Sequence, residues 1–313
     1  MDKLIEKIIL RRNTVIIKQF FDLVEFIFCK IVRFCNLENK LLGFFQIFTN
    51  GKLISAFRRK KYTILKNRSN SKIINEVNNN SFCFLGKLSK DEIETGKNYF
   101  LNQKKIYNSH VPYFFKKNKS EKEDKINIDD FLKNKDSNYG SFDIKTSVEC
   151  PILKNISLKY KFNEIAEEYL ISNKANVFSI NTMLTKSSNS SHDVFKLHRD
   201  IDSINSLAFF IYWTSTSQEN GSTSLLPGSH IYNFDRKFGK IYSPNLSLKH
   251  IEGEEGSIYA LDTWSYHRGN EKLKNPRLAT WIRYSSFPSR IYYMDRNYLF
   301  KNDLENFNSQ ETS

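Results

Sequence analysis

Residues 196–230 read KLHRDIDSINSLAFFIYWTSTSQENGSTSLLPGSH, and the order of features in that stretch decides the fold. The triplet His198-Arg199-Asp200 stands just before the longest aromatic and β-branched run of the chain, SLAFFIYWTSTS at 206–217. Asn220-Gly221 then supplies a hairpin turn signal and Pro227-Gly228 a second tight turn. On an extended chain, positions i and i+2 project to the same side. His198 and Asp200 can therefore offer an imidazole nitrogen and a carboxylate oxygen to one metal ion.

Working outward, NVFSINTML (176–184), GSIYALDTW (256–264) and RLATWIRYSSF (277–287) are further short runs of strand-forming residues, separated by Gly, Pro, Asn and Ser. Several antiparallel strands with long connections predict a double-stranded β-helix, the jelly-roll or cupin-like architecture, in an α+β chain with flanking helices. His267 follows the 256–264 strand and can bring a second imidazole from across a sheet. Two histidines and one carboxylate on one face of an Fe(II) ion leave three positions for a bidentate 2-oxo acid and O2.

Arg277 lies ten residues after His267 and offers a forked donor for the distal carboxylate of a dicarboxylate cosubstrate. Arg283 follows six residues later, a spacing like that of the oxidative nucleic-acid demethylases. Six strand residues span about 20 Å, at about 3.3 Å each, so one small dicarboxylate cannot touch both arginines. One of the two must therefore serve another role.

The segments KLHRDIDS (196–203), FFIYWTSTSQENGSTSLLPGSH (209–230) and GEEGSIYALDTWSYHRGNEKLKNPRLATWIRYSS (253–286) resemble the phytanoyl-CoA dioxygenase family. The resemblance covers roughly 85–290. It implies that His198, Asp200 and His267 bind Fe(II), that Arg277 binds 2-oxoglutarate, and that P-G-S-H at 227–230 is a family marker. It further implies oxidative decarboxylation of 2-oxoglutarate to succinate and CO2, coupled to hydroxylation of a small-molecule or lipid-like substrate. Because the carboxylate Asp200 is present, hydroxylation is expected rather than halogenation. Some family members carry a serine two residues after the distal histidine as a second cosubstrate contact, where this chain has Gly269.

The remaining histidines carry less. His230 reads as a structural hydrogen-bonding residue and His192 as a surface residue of the loop SSNSSHD, while His110 and His250 carry no signal. Cys29, Cys35, Cys83 and Cys150 form no C-x-x-C pair, which fits a reducing, cytoplasmic setting.

The formal charge is +14, but residues 1–80 hold sixteen Lys+Arg against six Asp+Glu, a net of +10. The near-neutral remainder weighs against nucleic acid as the substrate. Residues 14–36 place Lys18, Asp22, Glu25, Cys29 and Arg33 on one narrow helical stripe, with Ile, Val, Leu and Phe elsewhere. The apolar run at 41–48 is followed by Arg58, Arg59, Lys60, Lys61, Lys66 and Arg68. Such an amphipathic basic arm suits peripheral contact with an anionic membrane through residues 1–80, or packing on the enzyme itself.

The expected division is therefore an arm and polar linker over 1–82, with the linker at 65–82, an oxygenase domain over 83–295, and a polar tail over 296–313. Ser89 and Glu92 predict a capping box opening a helix, and a further helix is expected over 162–172. The charged stretch 116–139 reads as a surface insertion. Two alternatives stay open: a nucleic-acid or protein oxygenase of the same chemistry, and a non-catalytic cupin-like binding module.

Overall fold

The computed structural model describes residues 52–108, 125–172, 175–188, 195–200, 205–231, 247–270, 274–285 and 307. The stretches 14–36 and 41–48, the tail apart from Phe307, and His110 and His192 lie outside the described residues. Among those described, no helix is long and apolar enough to cross a membrane.

The helices are α1 (Lys52–Arg68), α2 (Lys72–Asn80), α3 (Lys90–Leu101), α4 (Ile128–Lys133), α5 (Ile144–Val148), α6 (Leu153–Lys159) and α7 (Phe162–Leu170). The strands are β1 (Phe82–Lys87), β2 (Lys105–Asn108), β3 (Lys125–Asn127), β4 (Tyr139–Ser141), β5 (Asn176–Thr185) and β6 (Ser206–Tyr212). They continue as β7 (Thr223–Leu225), β8 (Lys249–Ile251), β9 (Ser257–Leu261), β10 (His267–Gly269) and β11 (Arg277–Ser285). Eight strands form one sheet in the order β1-β9-β6-β11-β5-β4-β2-β3, and three form a second, β10-β7-β8. Every pairing is antiparallel.

The period-two alternation of strand side chains sorts the large sheet into two faces. Along β11, Leu278, Ile282 and Tyr284 join the core beneath the helices, with Ile74, Val77, Phe100, Leu153, Phe162 and Leu170. Ala279 and Trp281 turn the other way and meet Leu225 and Ile251 of the second sheet. All seven residues of β6 are buried, as a strand covered on both faces requires. On the helical side Phe162 stacks on Phe209 at 4.1 Å between centroids. Gly96 lets α3 lie directly on the Trp213 ring, because a Cβ there would enter it.

Several local expectations hold. Ser89 and Glu92 form both halves of the capping box. Leu226-Pro227-Gly228-Ser229 is a tight turn, with Gly228 at φ 74° and Ser229 N donating to Leu226 O at 3.2 Å. The hairpin after β6 is present, but it centres on Gln218-Glu219 rather than on Asn220-Gly221. Ser217 O accepts from both Asn220 N and Ser222 N, and Gly221 follows the turn at φ 70°.

Two expectations are corrected, and a third, left open between membrane contact and packing, is divided. The polar stretch 65–82 is no linker, since Leu65, Ile74 and Val77 are buried in the main core and the latter two lie on the helix α2. The basic cluster is divided: Arg59 and Lys66 are exposed, while Arg58 and Lys61 are buried against the enzyme. The described part of 116–139 is not a free surface insertion. It contributes β3, α4 and β4, and buries Ile128, Phe131 and Tyr139.

His230 is a buried connector. Its Nδ1 lies 2.7 Å from Ser81 Oγ and its Nε2 3.1 Å from Asn78 O, so a neutral ring with the proton on Nε2 satisfies both. Burial pushes its pKa down to about 4; Asp262 opposes that shift, while Arg58 and Lys61 reinforce it. The unfolded chain takes up this proton first as pH falls below the ordinary histidine value. Stability attributable to His230 is thus complete above about pH 6.5 and lost progressively down to about pH 4. The slope is roughly 1.4 kcal/mol per pH unit, on the order of 3 kcal/mol in total. Urea unfolding of wild type and His230→Gln across pH 7 to 4 should show a shallower decline in the variant; identical slopes would contradict the assignment.

Candidate metal centre

His198 and Asp200 sit on an extended segment ahead of β6, and His267 opens β10. The two histidines form an antiparallel bridge, with His198 N donating to His267 O at 2.9 Å and His267 N to His198 O at 2.8 Å. Asp200 N donates to Thr263 O at 3.0 Å, which fixes the third backbone against the same turn. The i and i+2 spacing then turns both side chains of the triplet toward His267.

Asp200 Oδ1 lies 3.8 Å from His198 Nε2 and 3.8 Å from His267 Nε2. One donor atom from each of the three residues falls within 4.8 Å of the others. Each ring is held by its other nitrogen: His198 Nδ1 is 2.7 Å from Lys196 O and His267 Nδ1 is 2.9 Å from Ser265 O. A carbonyl can only accept, so both Nδ1 atoms carry protons, and it is the Nε2 atoms that face the centre and would serve as ligands. His267 Nε2 and Asp200 Oδ2 are buried atoms with no hydrogen-bond partner. A cation among these donors satisfies the lone pair at His267, and the donor set of two imidazoles and a carboxylate fits a first-row transition metal.

Charge states agree with that geometry. Burial pushes the His267 pKa down to about 4, with His198 adding to the shift, so the ring is neutral at physiological pH. Burial works against ionisation of Asp200, but His267, Arg283 and His198 outweigh it and hold the carboxyl below its ordinary value.

Arg283 belongs to this centre. Its Nη1 lies 3.6 Å from Asp200 Oδ2, the oxygen turned away from the histidines. Nη2 donates to Ser179 Oγ at 3.2 Å, and the guanidinium carbon sits 5.1 Å from the Phe178 ring and 5.1 Å from the Trp281 ring. Arg277, with the same parity on β11, faces the same interior at the strand's other end. It is buried, Nε donates to Thr185 Oγ1 at 3.1 Å, and Nη1 donates to Gly221 O. The two arginines thus occupy separate places, as their spacing requires.

Sequence reasoning missed Tyr139, which pairs from β4 with Thr185 of β5 and is buried. Burial raises its hydroxyl pKa; Asn181, Arg277 and Arg283 pull it back, and Asp200 pushes it further up. A Cβ at Gly269 would stand 3.7 Å from Arg277 Nη2 but only 3.1 Å from the Phe195 ring. A side chain at 269 would require the Phe195 ring to give by a few tenths of an ångström. No readable signal marked Tyr139, because it falls inside a charged stretch. The shared parity of Arg277 and Arg283 was the available sign that both face inward.

Solved structures share this architecture. The non-haem α-ketoglutarate-dependent carbocyclase SnoK from nogalamycin biosynthesis matches with TM-score 0.51 and 14% identity, over 71% of this chain and 85% of that one. EctD from S. alaskensis, with 2-oxoglutarate and 5-hydroxyectoine, matches at TM-score 0.48 and 12% identity over 71% and 79%. The epimerase SnoN, also from nogalamycin biosynthesis, matches at 0.46 and 12% over 71% and 82%. No protein-family model and no curated protein matches the chain. The likeness to SnoK is one of fold: the chain shares the jelly-roll architecture of that enzyme.

His198→Ala, Asp200→Ala and His267→Ala should each abolish tight Fe(II) or Co(II) binding while retaining cooperative unfolding. Calorimetric titration with Co(II) checks this, and near-wild-type affinity in any of the three would remove that residue from the centre.

Proposed function

We propose that the protein is an Fe(II)- and 2-oxoglutarate-dependent dioxygenase, akin to the phytanoyl-CoA dioxygenase family, that hydroxylates a small-molecule or lipid-like substrate. The observation that carries this reading is Asp200 Oδ1 standing 3.8 Å from both histidine Nε2 atoms, with Arg277 buried on the same inner face. Iron with 2-oxoglutarate and O2 supplies the oxidising power, and 2-oxoglutarate leaves as succinate and CO2.

The protein's own residues do the rest. Lys196 O and Ser265 O hold the imidazoles in the ligating tautomer. Arg283 occupies the side of Asp200 Oδ2, so the carboxylate presents Oδ1 alone to the centre. Arg277 takes the distal carboxylate of 2-oxoglutarate by a charge-assisted pair. Tyr139, beside Arg277 on the same face, serves as the second cosubstrate contact, since this chain has Gly269 where a serine could otherwise assist. Phe210, Tyr212, Tyr259, Leu261 and Trp281 pack as an apolar cluster between the two sheets on this inner face.

Two observations weigh against the nucleic-acid reading. Arg58 and Lys61 are buried and cannot reach a phosphate backbone, and Arg283 is engaged with Asp200. Contact of the arm with an anionic membrane is a separate proposal resting on exposed Arg59 and Lys66 and on the apolar stretches upstream. Flotation of the full chain with anionic vesicles at low salt, reversed by high salt, tests it.

The central test is Fe(II)-dependent conversion of 2-oxoglutarate to succinate across lipids, acyl thioesters, sugars and small metabolites; no turnover with any, alongside no Fe(II) affinity, would end the enzymatic reading. Within that assay, Arg277→Ala should raise the 2-oxoglutarate KM by far more than it changes Fe(II) binding. Loss of a cation facing a buried carboxylate costs about 2–5 kcal/mol. Tyr139→Phe should raise KM by a smaller factor, about 1 kcal/mol for one hydrogen bond. A larger effect from Tyr139→Phe than from Arg277→Ala would reverse the two roles.

A further inference from the structure

We propose that helix α1 completes the metal centre from outside the jelly roll: Arg58, through its buried ion pair with Asp262, is a positioning residue for the turn that carries the ligand backbones. The inference rests on His198, Asp200 and His267 binding a metal, and it concerns a residue that lies upstream of the expected oxygenase domain.

Asp262 directly follows β9 and is 1% exposed; Arg58 is 5% exposed. Arg58 Nη2 pairs with Asp262 Oδ2, and its Nε donates to His230 O at 2.8 Å. Tyr169 of α7 donates to the same Oδ2 at 2.6 Å. The other oxygen, Oδ1, accepts from Trp264 N at 2.9 Å, and the Asp262 carbonyl accepts from Ser265 N at 3.0 Å. Both ends of the carboxylate are thereby used: one faces a cation and a phenol, the other closes the turn 262–265. Burial alone would raise the Asp262 carboxyl, but Arg58, then His230, Lys61 and Tyr169, hold it well below the ordinary range. The group stays charged and stays an acceptor.

The metal ligands hang from this turn. Thr263 O receives Asp200 N at 3.0 Å, and Ser265 O lies 2.9 Å from His267 Nδ1. These bonds place one ligand backbone and fix the tautomer of another. A metal site tolerates displacements of about half an ångström in its ligands. Loss of the outer partners that orient ligands typically costs 10–100-fold in metal affinity. Without Arg58, Asp262 is left charged among buried groups and must protonate or move. Either change alters the acceptor that closes the turn. Trp264, whose ring lies 5.0 Å from the Arg58 guanidinium, moves with it.

The test is Co(II) binding to the full chain without 2-oxoglutarate, followed by calorimetry and by the visible absorption of the bound ion. Arg58→Met and Asp262→Asn should each weaken Co(II) about 10–100-fold. Both should alter the absorption bands, since the ligand geometry changes. Arg58→Lys should recover part of the affinity by restoring the charge without the second bond. The double variant should bind no more weakly than the worse single one, because the pair acts as a unit. Leu65→Ala, on the same helix and in the main core, controls for loss of packing: it should lower Tm and leave Co(II) affinity within twofold. Should Arg58→Met fail to fold, Arg58→Lys and Asp262→Asn carry the comparison. Wild-type affinity and spectrum in the folded Arg58 and Asp262 variants, or an equal loss in Leu65→Ala, would overturn the proposal. Absence of Co(II) binding by the wild type would instead overturn the metal-site reading beneath it.

Discussion

Two backbone hydrogen bonds between His198 and His267 hold together the two histidines on which the candidate metal centre depends. Neither residue belongs to the same run of chain, and His198 lies outside any named strand. Their bridge prolongs the small sheet by one pair and brings two imidazoles to 4.5 Å between ring centroids. Asp200 then needs only the i+2 geometry of an extended chain to meet both. The centre is built mainly by main-chain pairing, with side-chain hydrogen bonds choosing tautomers and carboxylate orientation.

The large sheet imposes a second order on the site. Because β11 alternates strictly, Arg277, Ala279, Trp281 and Arg283 share the inner face while Leu278, Ile282 and Tyr284 seal the helical core. The registry of β5 against β11 puts Thr185 opposite Arg277 and Ser179 opposite Arg283, each a hydroxyl that accepts from its arginine. Two cations can thus be buried in one barrel without being adjacent. One sits beside a tyrosine at the strand's start, the other beside Asp200 between two aromatic rings. Trp281, between them in sequence, supplies the apolar separation.

Much of this was legible in the chain. His-x-Asp before a strong strand, a histidine after a later one, and an arginine on the next are local patterns whose geometry follows from period two. The Ser89–Glu92 capping box and the Pro227-Gly228 turn depend on nearest neighbours and are equally plain. What escaped depends on partners far away. Ile74 and Val77 stand among asparagines, and the packing of α2 against β1, α1 and α7 explains their burial. Ile128 and Phe131 are hidden in the same way by surrounding lysines and aspartates. The basic run at 58–68 reads as one patch, yet Asp262 and the Tyr169 ring select Arg58 and Lys61 from it. Composition records the average of a segment, while burial is decided residue by residue.

The pairing of Arg58 with Asp262 joins residues separated by 204 positions. β1 must likewise find β9 across most of the described chain. Closing loops of that length carries an entropy penalty that is met before the contacts reward it, and sheets of such high contact order fold slowly. During synthesis the first of these partners emerges long before the second, so α1 and β1 must wait for β9. The nascent chain therefore passes through a stage in which β1 is an open edge and the turn 262–265 has yet to form. Whatever depends on that turn is completed only after β9 has been made and β1 has found it.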